Sequence, residues 1–313
     1  MLEHILTVSF FTAFFAAAVR MAVPLIYAGL GEVISEKAGI LNIGMEGIMI
    51  SGAFFSFAGT YYSGNAAVGI LCGMAGGMLV SSIHSFLCIK LAQNQSVSGI
   101  AINTFMLGVT SFLYKLMSNG QSYQQITPLA KIRIPLLADI PFLGNAFFNQ
   151  DIMTYGVYIL ILAVTFFYKK TAVGLAFSAI GENPRSADTA GIPVHRYQYI
   201  AMAINGIFGG LGGAFLVLVQ VGNFSESMTS GRGYIALAAV ILGKYMPCGM
   251  FGAALIFGGA NALQIRLQAV GVPLPTQALA MLPYIITLIA LLCSAGKNSA
   301  PEALGVPYIR ESR

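Results

Sequence analysis

Charged residues are scarce in this sequence: they make up 9% of its 313 residues, and tryptophan does not occur at all. A soluble domain carries about 25% charged residues, which it needs to cover a surface that faces water. Hydrophobic residues make up 57% of the chain, and the mean hydropathy is +0.79. This composition excludes an ordinary soluble protein and predicts a polytopic membrane protein.

Cysteine is also rare. Its four copies stand singly in or beside apolar segments and form no CxxC pair: Cys72, Cys88, Cys248 and Cys293. This spacing argues against a disulfide framework or a metal site, and we interpret these residues as core thiols. The cations behind the net charge of +5 are scattered at predicted helix ends. They are better explained by orientation in the lipid bilayer than by a nucleic-acid partner.

Sequence signatures of enzymes are absent too. No GxxxxGK[ST] phosphate loop occurs, since Lys244 and Lys297 follow single glycines without the required spacing. No HExxH, GxSxG or paired-carboxylate arrangement is evident either. We expect no enzymatic activity in this chain and no metal or cofactor bound to it. A proton relay of several acidic residues is not expected either, because one carboxylate, that of Glu46, lies near the start of the second span.

Long apolar runs predict the membrane crossings, because a spanning helix needs about 20 mainly apolar residues. Runs without Asp, Glu, Lys or Arg cover residues 91–114, 197–225, 245–265 and 267–296. We predict an all-α fold in a single transmembrane domain over residues 1–313. It has about nine transmembrane helices, at about 5–29, 43–62, 66–89, 97–117, 151–168, 199–221, 225–244, 249–267 and 276–294.

Basic residues set the predicted orientation. The polar interval 169–198 is rich in Lys and Arg, and such loops face the cytoplasm. Counting outward from it places the N-terminus outside and the tail with Lys297, Arg310 and Arg313 inside. The span at 225–244 is short, because eleven uncharged residues separate Arg232 from Lys244. It is either re-entrant or a crossing that starts near Phe224; we favour the crossing, since re-entry would place the basic tail outside.

Two glycine-rich segments suggest an inverted repeat. "YSGNAAVGILCGMAGGML" (62–79) loosely matches "YMPCGMFGAALIFGGANAL" (245–263), and the two run in opposite directions in this topology. Inverted repeats of this kind occur in transporters. Glycine abundance alone also produces such a match. The many other small residues within the spans are interpreted mainly as helix-packing positions.

The stretch "AGILNIGMEGIMISGAFFSFAG" (38–59) combines glycines with a carboxylate. Glycine lowers helix propensity by about 1 kcal/mol, so the glycines at 39, 44 and 47 predict an unwound or kinked start of the second span. Asn42 and Glu46 share a face if this segment is helical. Two interpretations stay open: a substrate contact at a broken helix, or a Glu46 that caps a helix N-terminus at the interface.

Asn103 and Thr104 are further candidates for a substrate pathway, because they lie inside an otherwise apolar span. Interhelical hydrogen bonding is the alternative explanation for such polar groups.

The predicted cytoplasmic loop reads "FSAIGENPRSADTAGIPVHRYQY" at 177–199. Asn183 is placed to cap a helix that has Pro184 in its first turn. Gly191 would stop this helix, and Pro193 bars its continuation. We predict a short polar helix on the cytoplasmic face, with an ordinary solvated loop as the alternative.

Three blocks of the sequence resemble a known family. They are "PLIYAGLGEVISEKAGILNIGMEGIMISGAF" (24–54), "AIGENPRSADTAGIPVHRYQYIAMAINGIFGGLGGAF" (179–215) and "GRGYIALAAVILGKYMPCGMFGAALIFGG" (231–259). In this order they are similar to permease subunits of bacterial ABC importers for simple sugars, nucleosides and branched-chain amino acids. The GxLNIGxEG pattern at 39–47 looks most like the nucleoside and simple-sugar members.

The resemblance implies the protein's partners. Such permeases pair, often as two different chains and sometimes as a homodimer, in the bacterial cytoplasmic (inner) membrane. Two cytoplasmic ATPase subunits bind ATP and Mg²⁺, so the permease holds no cofactor, and an extracytoplasmic binding protein delivers substrate. Residues 181–194 match the family's ATPase-coupling region. The resemblance thus implies a coupling role for Gly181, Glu182, Asn183, Pro184, Arg185, Ala190 and Gly191.

The expected function is therefore import of a nucleoside, or of a related ribosyl compound or simple sugar, driven by ATP hydrolysis on partner chains. Asn42, Glu46, Asn103 and Thr104 are the pathway candidates. The alternatives are an ion-coupled secondary transporter that acts alone, a channel, and a structural membrane scaffold.

Overall fold

Helices dominate the structure. The computed structural model describes residues 8–118, 125–135, 137, 138, 140, 143–271, 275–294 and 299–309. In chain order the helices are α1 (Val8–Lys37), α2 (Met45–Ser63), α3 (Ala66–Ser85), α4 (Gln95–Ser118), α5 (Leu143–Phe147), α6 (Ile152–Lys170), α7 (Ala172–Glu182), α8 (Pro184–Thr189), α9 (Val194–Phe215), α10 (Arg232–Leu242), α11 (Pro247–Ala269), α12 (Thr276–Ala280) and α13 (Leu282–Ser294).

Six helices of the described chain are long and apolar enough to cross a membrane: α1, α3, α4, α6, α9 and α11. Two of them are lengthened by π-helical segments, Phe86–Lys90 after α3 and Leu216–Val221 after α9. The number of nine crossings and the inverted repeat stay predictions.

The first helix is longer than predicted. It continues to Lys37 instead of ending at residue 29. Leu30, Val33 and Ile34 are buried, and their spacing keeps one face of the helix in the core. The predicted span of about 5–29 ended before Glu32 and Glu36, whereas the helix continues through both.

The span predicted at 225–244 is also wrong in its first half. The chain makes turns over residues 222–231, and α10 begins only at Arg232. Ser227, Ser230 and Gly231 have φ values of 55°, 47° and 80°. These left-handed conformations are incompatible with a continuous right-handed helix.

A short β-ribbon interrupts the all-α pattern. Strand β1 (Lys131–Arg133) pairs antiparallel with β2 (Asn149–Asp151), and α5 lies between them. The side chain of Asp151 then accepts a hydrogen bond from the Thr154 N–H (3.0 Å) and caps α6. The sequence analysis predicted no strand in this polar interval. Asp139, which lies in the same interval, is outside the described residues.

Other boundaries differ slightly. The last predicted span, 276–294, is divided at Met281 into α12 and α13. The polar interval 169–198 is not one loop: α6 extends to Lys170, α9 already begins at Val194, and the apolar α7 lies between them. Residues 1–7, Lys297, Arg310 and Arg313 lie outside the described part of the chain.

Glycines allow three helices to approach closely in the core. A Cβ atom on Gly52 of α2 would overlap the backbone of Gly210 in α9. A Cβ on Gly77 of α3 would likewise overlap the carbonyl of Gly206. The prediction that small residues pack the spans is confirmed at these crossings.

Residues 181–194, here named the coupling segment, and the C-terminal residues 299–309 lie at the same end of the helix bundle. The Ala303 N–H donates to the Gly181 carbonyl (2.9 Å), and the Gly305 N–H donates to the Gly39 carbonyl (3.2 Å). The end of α1 meets both segments there. Residues 303 and 305 therefore lie beside the 169–198 interval and the end of α1, whereas the cytoplasmic placement of the tail stays a prediction.

Candidate functional site

The connection between α1 and α2 is unwound, as the glycines predicted. Residues 38–44 lack helical structure, and Gly39 has φ +83°. Two side chains hold this connection: Gln95 accepts a hydrogen bond from the Leu41 N–H (2.7 Å), and Asn42 Oδ1 accepts one from the Gly44 N–H (3.0 Å). The connection is therefore a fixed segment of irregular backbone inside the protein.

Glu46, in the first turn of α2, caps a different helix. Its Oε1 accepts a hydrogen bond from the Gly231 N–H (2.7 Å), and its Oε2 accepts one from the Gly233 N–H (2.7 Å). These N–H groups start α10, where a helix has unpaired donors and partial positive charge. Glu46 is 5% exposed. Of the two interpretations left open, the structure shows a helix cap, but on α10 instead of α2.

Asn103 joins three elements through one amide. It accepts a hydrogen bond from the Gly47 N–H (2.7 Å) and donates to the Ile43 carbonyl (2.8 Å) and the Tyr234 hydroxyl (2.8 Å). The residue lies eight positions into α4, about 12 Å along the helix from its first residue. It therefore anchors the unwound connection, the start of α2 and the start of α10.

Thr104 does not join this group. It is exposed, and its hydroxyl donates to the Ile100 carbonyl of its own helix (3.2 Å). Successive helix residues point about 100° apart, which separates Thr104 from its neighbour Asn103. The structure thus brings Glu46 and Asn103 to one helix start and leaves Thr104 exposed on α4, outside this group.

Asn42 belongs to a second polar group, deeper in the interior. Its Nδ2 donates to Asn205 Oδ1 (2.7 Å), whose own Nδ2 donates to Ser35 Oγ (3.0 Å). Ser35 Oγ lies 3.3 Å from Glu32 Oε2 and donates to it. All four residues are fully buried. The chain of contacts links α1, the unwound connection and α9.

Two acidic residues of this region were missed by the sequence analysis. Glu32 and Glu36 lie one turn apart on α1 and are completely buried. Neither oxygen of Glu36 has a hydrogen-bond partner among the described residues. Burial, and secondarily Glu36, raises the pKa of the Tyr245 hydroxyl in the turn after α10. The statement that no paired carboxylates occur was wrong; their spacing of four in "GEVISEK" was the available signal.

The coupling segment folds as its capping residues predicted. Asn183 accepts a hydrogen bond from the Ser186 N–H (3.0 Å), and Pro184 opens α8. Gly191 has φ +86°, and helix α8 ends before it, at Thr189. The prediction of a short helix bounded by two breaks is confirmed.

The segment has a buried side and a solvent side. Ala187 packs with Ile180 and Val194 in a small apolar cluster. The candidate coupling residues, by contrast, are mostly at the surface, with Glu182, Asn183, Arg185, Ala190 and Gly191 exposed. Gly181 is buried. It lies so close to the Lys37 carbonyl that a Cβ atom at this position would overlap it. The solvent side is available for a partner, and the buried side contacts the end of α1.

Comparison with known proteins defines the class. A family model described as branched-chain amino acid transport system, permease component, matches residues 14–292. The chain belongs to this permease family and, with its six apolar helices, is a multi-pass membrane protein.

Three relatives match most of the chain. It is 41% identical to the guanosine ABC transporter permease protein NupQ of Bacillus subtilis, over 95% of this chain and 96% of the relative. It is 37% identical to the nucleoside ABC transporter permease protein NupC of Lactococcus lactis, over 92% and 93%. Identity is 38% to TsgC13 of Haloferax volcanii, over 86% and 82%; its name assigns it provisionally to a glucose ABC transporter. These relatives are transporter permeases for nucleosides and sugars.

All three of these organisms also have a second similar permease, which in Haloferax volcanii is the glucose ABC transporter permease protein TsgB13, 26% identical to this chain. NupP of B. subtilis carries the same guanosine description as NupQ and is 24% identical to this chain; NupB of L. lactis is described, like NupC, as a nucleoside permease and is 27% identical. The relatives thus occur alongside other permease chains of the same family.

Proposed function

We propose that this chain is the permease subunit of an ATP-binding-cassette importer that carries nucleosides, or a related ribosyl compound or simple sugar, across the bacterial cytoplasmic membrane. The similarity to NupQ and NupC supports a nucleoside as cargo. A sugar is the nearest alternative cargo because of the similarity to TsgC13.

The proposed assembly contains a second permease chain, two cytoplasmic ATPase subunits and an extracytoplasmic binding protein. The NupQ–NupP and NupC–NupB pairs support two different permease chains over a homodimer. ATP and Mg²⁺ would be bound by the ATPase subunits, because this sequence lacks a phosphate loop.

The observation that carries this proposal is the position of α8. This short helix exposes Arg185 and the Ala190–Gly191 turn to solvent, while Gly181 behind it contacts the Lys37 carbonyl at the end of α1. An ATPase that binds the solvent side could therefore push directly on a membrane-spanning helix. Alternating access would follow from rigid-body rocking of packed helices about the interface between the two permeases.

The cargo pathway would run beside the start of α10. Asn42, Glu46 and Asn103 would stabilise the wall of this pathway, since their side chains form hydrogen bonds that fix the irregular backbone there. Thr104 and Tyr234 would face the pathway, because Thr104 is exposed and Tyr234 exposes 45% of its surface. An aromatic ring suits a nucleoside, since a nucleobase can stack on it.

The experiment is nucleoside uptake by the co-expressed importer, together with capture of the ATPase subunits on this chain in mild detergent. Arg185→Glu and Gly191→Glu should abolish uptake and leave membrane insertion intact. Lys169→Glu is the charge-matched control, because Lys169 is exposed at the end of α6, outside the coupling segment. Normal uptake by both coupling variants, or no captured ATPase with the unaltered chain, would contradict the proposal.

A second candidate is an ion-coupled secondary transporter. It is favoured by one observation, the buried pair Glu32 and Glu36, because ionisable residues inside membranes often lie on ion pathways. Uptake by this chain alone in liposomes, driven by an ion gradient without ATP, would support this candidate and contradict the importer.

A further inference from the structure

We propose that the C-terminal segment 301–308, here named the tail strap, is a coupling element that ties the ATPase-binding helix α8 to the unwound connection 38–44. The inference rests on the proposed function, because it assumes that an ATPase acts on α8. Its residues are positioning residues: they would transmit movement and would not touch the cargo.

The tail strap forms backbone hydrogen bonds to two separate parts of the protein. The Ala303 N–H donates to the Gly181 carbonyl (2.9 Å), just before α8, and the Gly305 N–H donates to the Gly39 carbonyl (3.2 Å), just after α1. Gly39 and Gly305 have φ values of +83° and +80°, which favour glycine. Three consecutive strap residues, 303–305, thus connect the coupling segment to the unwound connection.

The side chain of Tyr308 in the strap packs under α8 and beside the residue His195 that follows it. Tyr308 packs on the apolar cluster of Ile180, Ala187 and Val194. Its ring centroid lies 5.5 Å from that of His195, and its carbonyl oxygen accepts from His195 Nε2 (3.2 Å). The strap therefore contacts the chain both before and after α8, so that α8 and the strap are held as one unit.

The strap leaves the outer side of α8 accessible. A groove of about 550 Å³ lies between the start of α8 and part of the strap, and Glu182, Arg185 and Glu302 are among the residues that line it. An ATPase could therefore bind α8 while the strap stays in place.

The other end of the strap leads to the candidate pathway. Glu46 follows Gly39 by seven positions, and this short connection is fixed at Leu41 by Gln95 and at Asn42 by Asn205. A displacement of Gly39 cannot be absorbed by slack in so short a segment. It would reach Glu46 and the start of α10, which Glu46 caps.

The test compares two truncations of the chain in the assembled importer. A chain that ends at Ala300 lacks the strap, whereas a chain that ends at Ile309 keeps it and serves as the matched control. Nucleoside uptake, ATPase capture and ATP hydrolysis with and without the loaded binding protein are measured for each. Tyr308→Ala, with Ile309→Ala as its control, covers the case in which the shorter chain fails to insert; Ile309 is 67% exposed.

We expect the Ala300 truncation and Tyr308→Ala still to capture the ATPase. Their uptake rate should fall about tenfold, a size typical of coupling between sites. ATP hydrolysis should then respond less to the loaded binding protein, whereas a merely structural defect would lower the amount of assembled importer. Unchanged uptake would overturn the inference, and so would loss of the captured ATPase, since the strap would then be a docking element. Failure of the unaltered chain to capture ATPase would instead overturn the proposed function.

Discussion

Glu46 and Gly233 are 187 positions apart in sequence, yet the Glu46 carboxylate accepts a 2.7 Å hydrogen bond from the Gly233 N–H at the start of α10. A second bond, from Gly231, occupies the other oxygen. One acidic residue thereby fixes the first turn of a short helix that begins inside the protein. This relationship, together with the Asn103 amide, defines the candidate site.

Glu46→Gln should lower both thermal stability and uptake. A glutamine amide has one oxygen, so one N–H of α10 loses its acceptor and faces an NH₂ donor. The negative charge at the helix start is lost as well. Hydrogen bonds to charged groups contribute about 1.5–3 kcal/mol each. Thermal unfolding of the purified chain and uptake in cells are the measurements; a fully stable, fully active Gln variant would show that the cap is dispensable.

Glu36→Gln should have little effect on stability, which makes it the matched counterpart of Glu46→Gln. Neither oxygen of Glu36 has a hydrogen-bond partner in the described part of the chain. A neutral group of the same shape avoids the cost of burying a charge without a counter-ion. Unfolding temperature and ATP-dependent uptake should stay near the unaltered values. Loss of uptake in Glu36→Gln would point to ion coupling and so favour the second candidate.

Asn103→Leu should be far more damaging than Thr104→Val. The leucine leaves the Gly47 N–H, the Ile43 carbonyl and the Tyr234 hydroxyl without their partner. Loss of the buried bond from Gly47 alone costs about 1–3 kcal/mol. The hydroxyl of Thr104 bonds only within its own helix. Expression level and unfolding temperature should fall for the first variant and not for the second. If Thr104 faces the pathway, Thr104→Val should still raise the KM for uptake.

Gly210→Ala and Gly252→Ala should have opposite effects on stability. A Cβ on Gly210 would overlap the Gly73 carbonyl, whereas a Cβ on Gly252 would meet no atom within 4 Å. Alanine favours helix over glycine by about 1 kcal/mol, so Gly252→Ala should be neutral or stabilising. Gly210→Ala should separate α3 from α9 and lower the unfolding temperature. Equal unfolding temperatures for the two variants would contradict the packing described for this crossing.

Gly191→Asn should be tolerated better than Gly191→Val. At φ +86° asparagine is accommodated more readily than a β-branched residue. No atom lies within 4 Å of a Cβ at this position, so steric overlap does not distinguish the two. Uptake should be near normal for asparagine and reduced for valine, with equal membrane insertion. Equal uptake by both would mean that the turn after α8 does not need its left-handed conformation.

Much of the local structure could be predicted from residue order. Asn183, Pro184 and Gly191 encode the start and the end of α8, because capping and turn preferences depend on neighbouring residues. The unwound segment before α2 was likewise evident from its glycines. The boundaries of α1 and α10 could not be predicted in this way, since burial of Glu32 and Glu36 and the turns at 222–231 depend on the surrounding helices.

The sequence by itself determined that this protein is a helical membrane permease, because scarce charge and long apolar runs allow little else, and its motifs are those of one family. Only the tertiary structure decided what the polar side chains do. Glu46 reaches α10 and Asn103 reaches Tyr234 across more than 130 positions, and Ala303 joins the tail to Gly181. Such partners are set by how helices pack in three dimensions, which local sequence preferences do not encode.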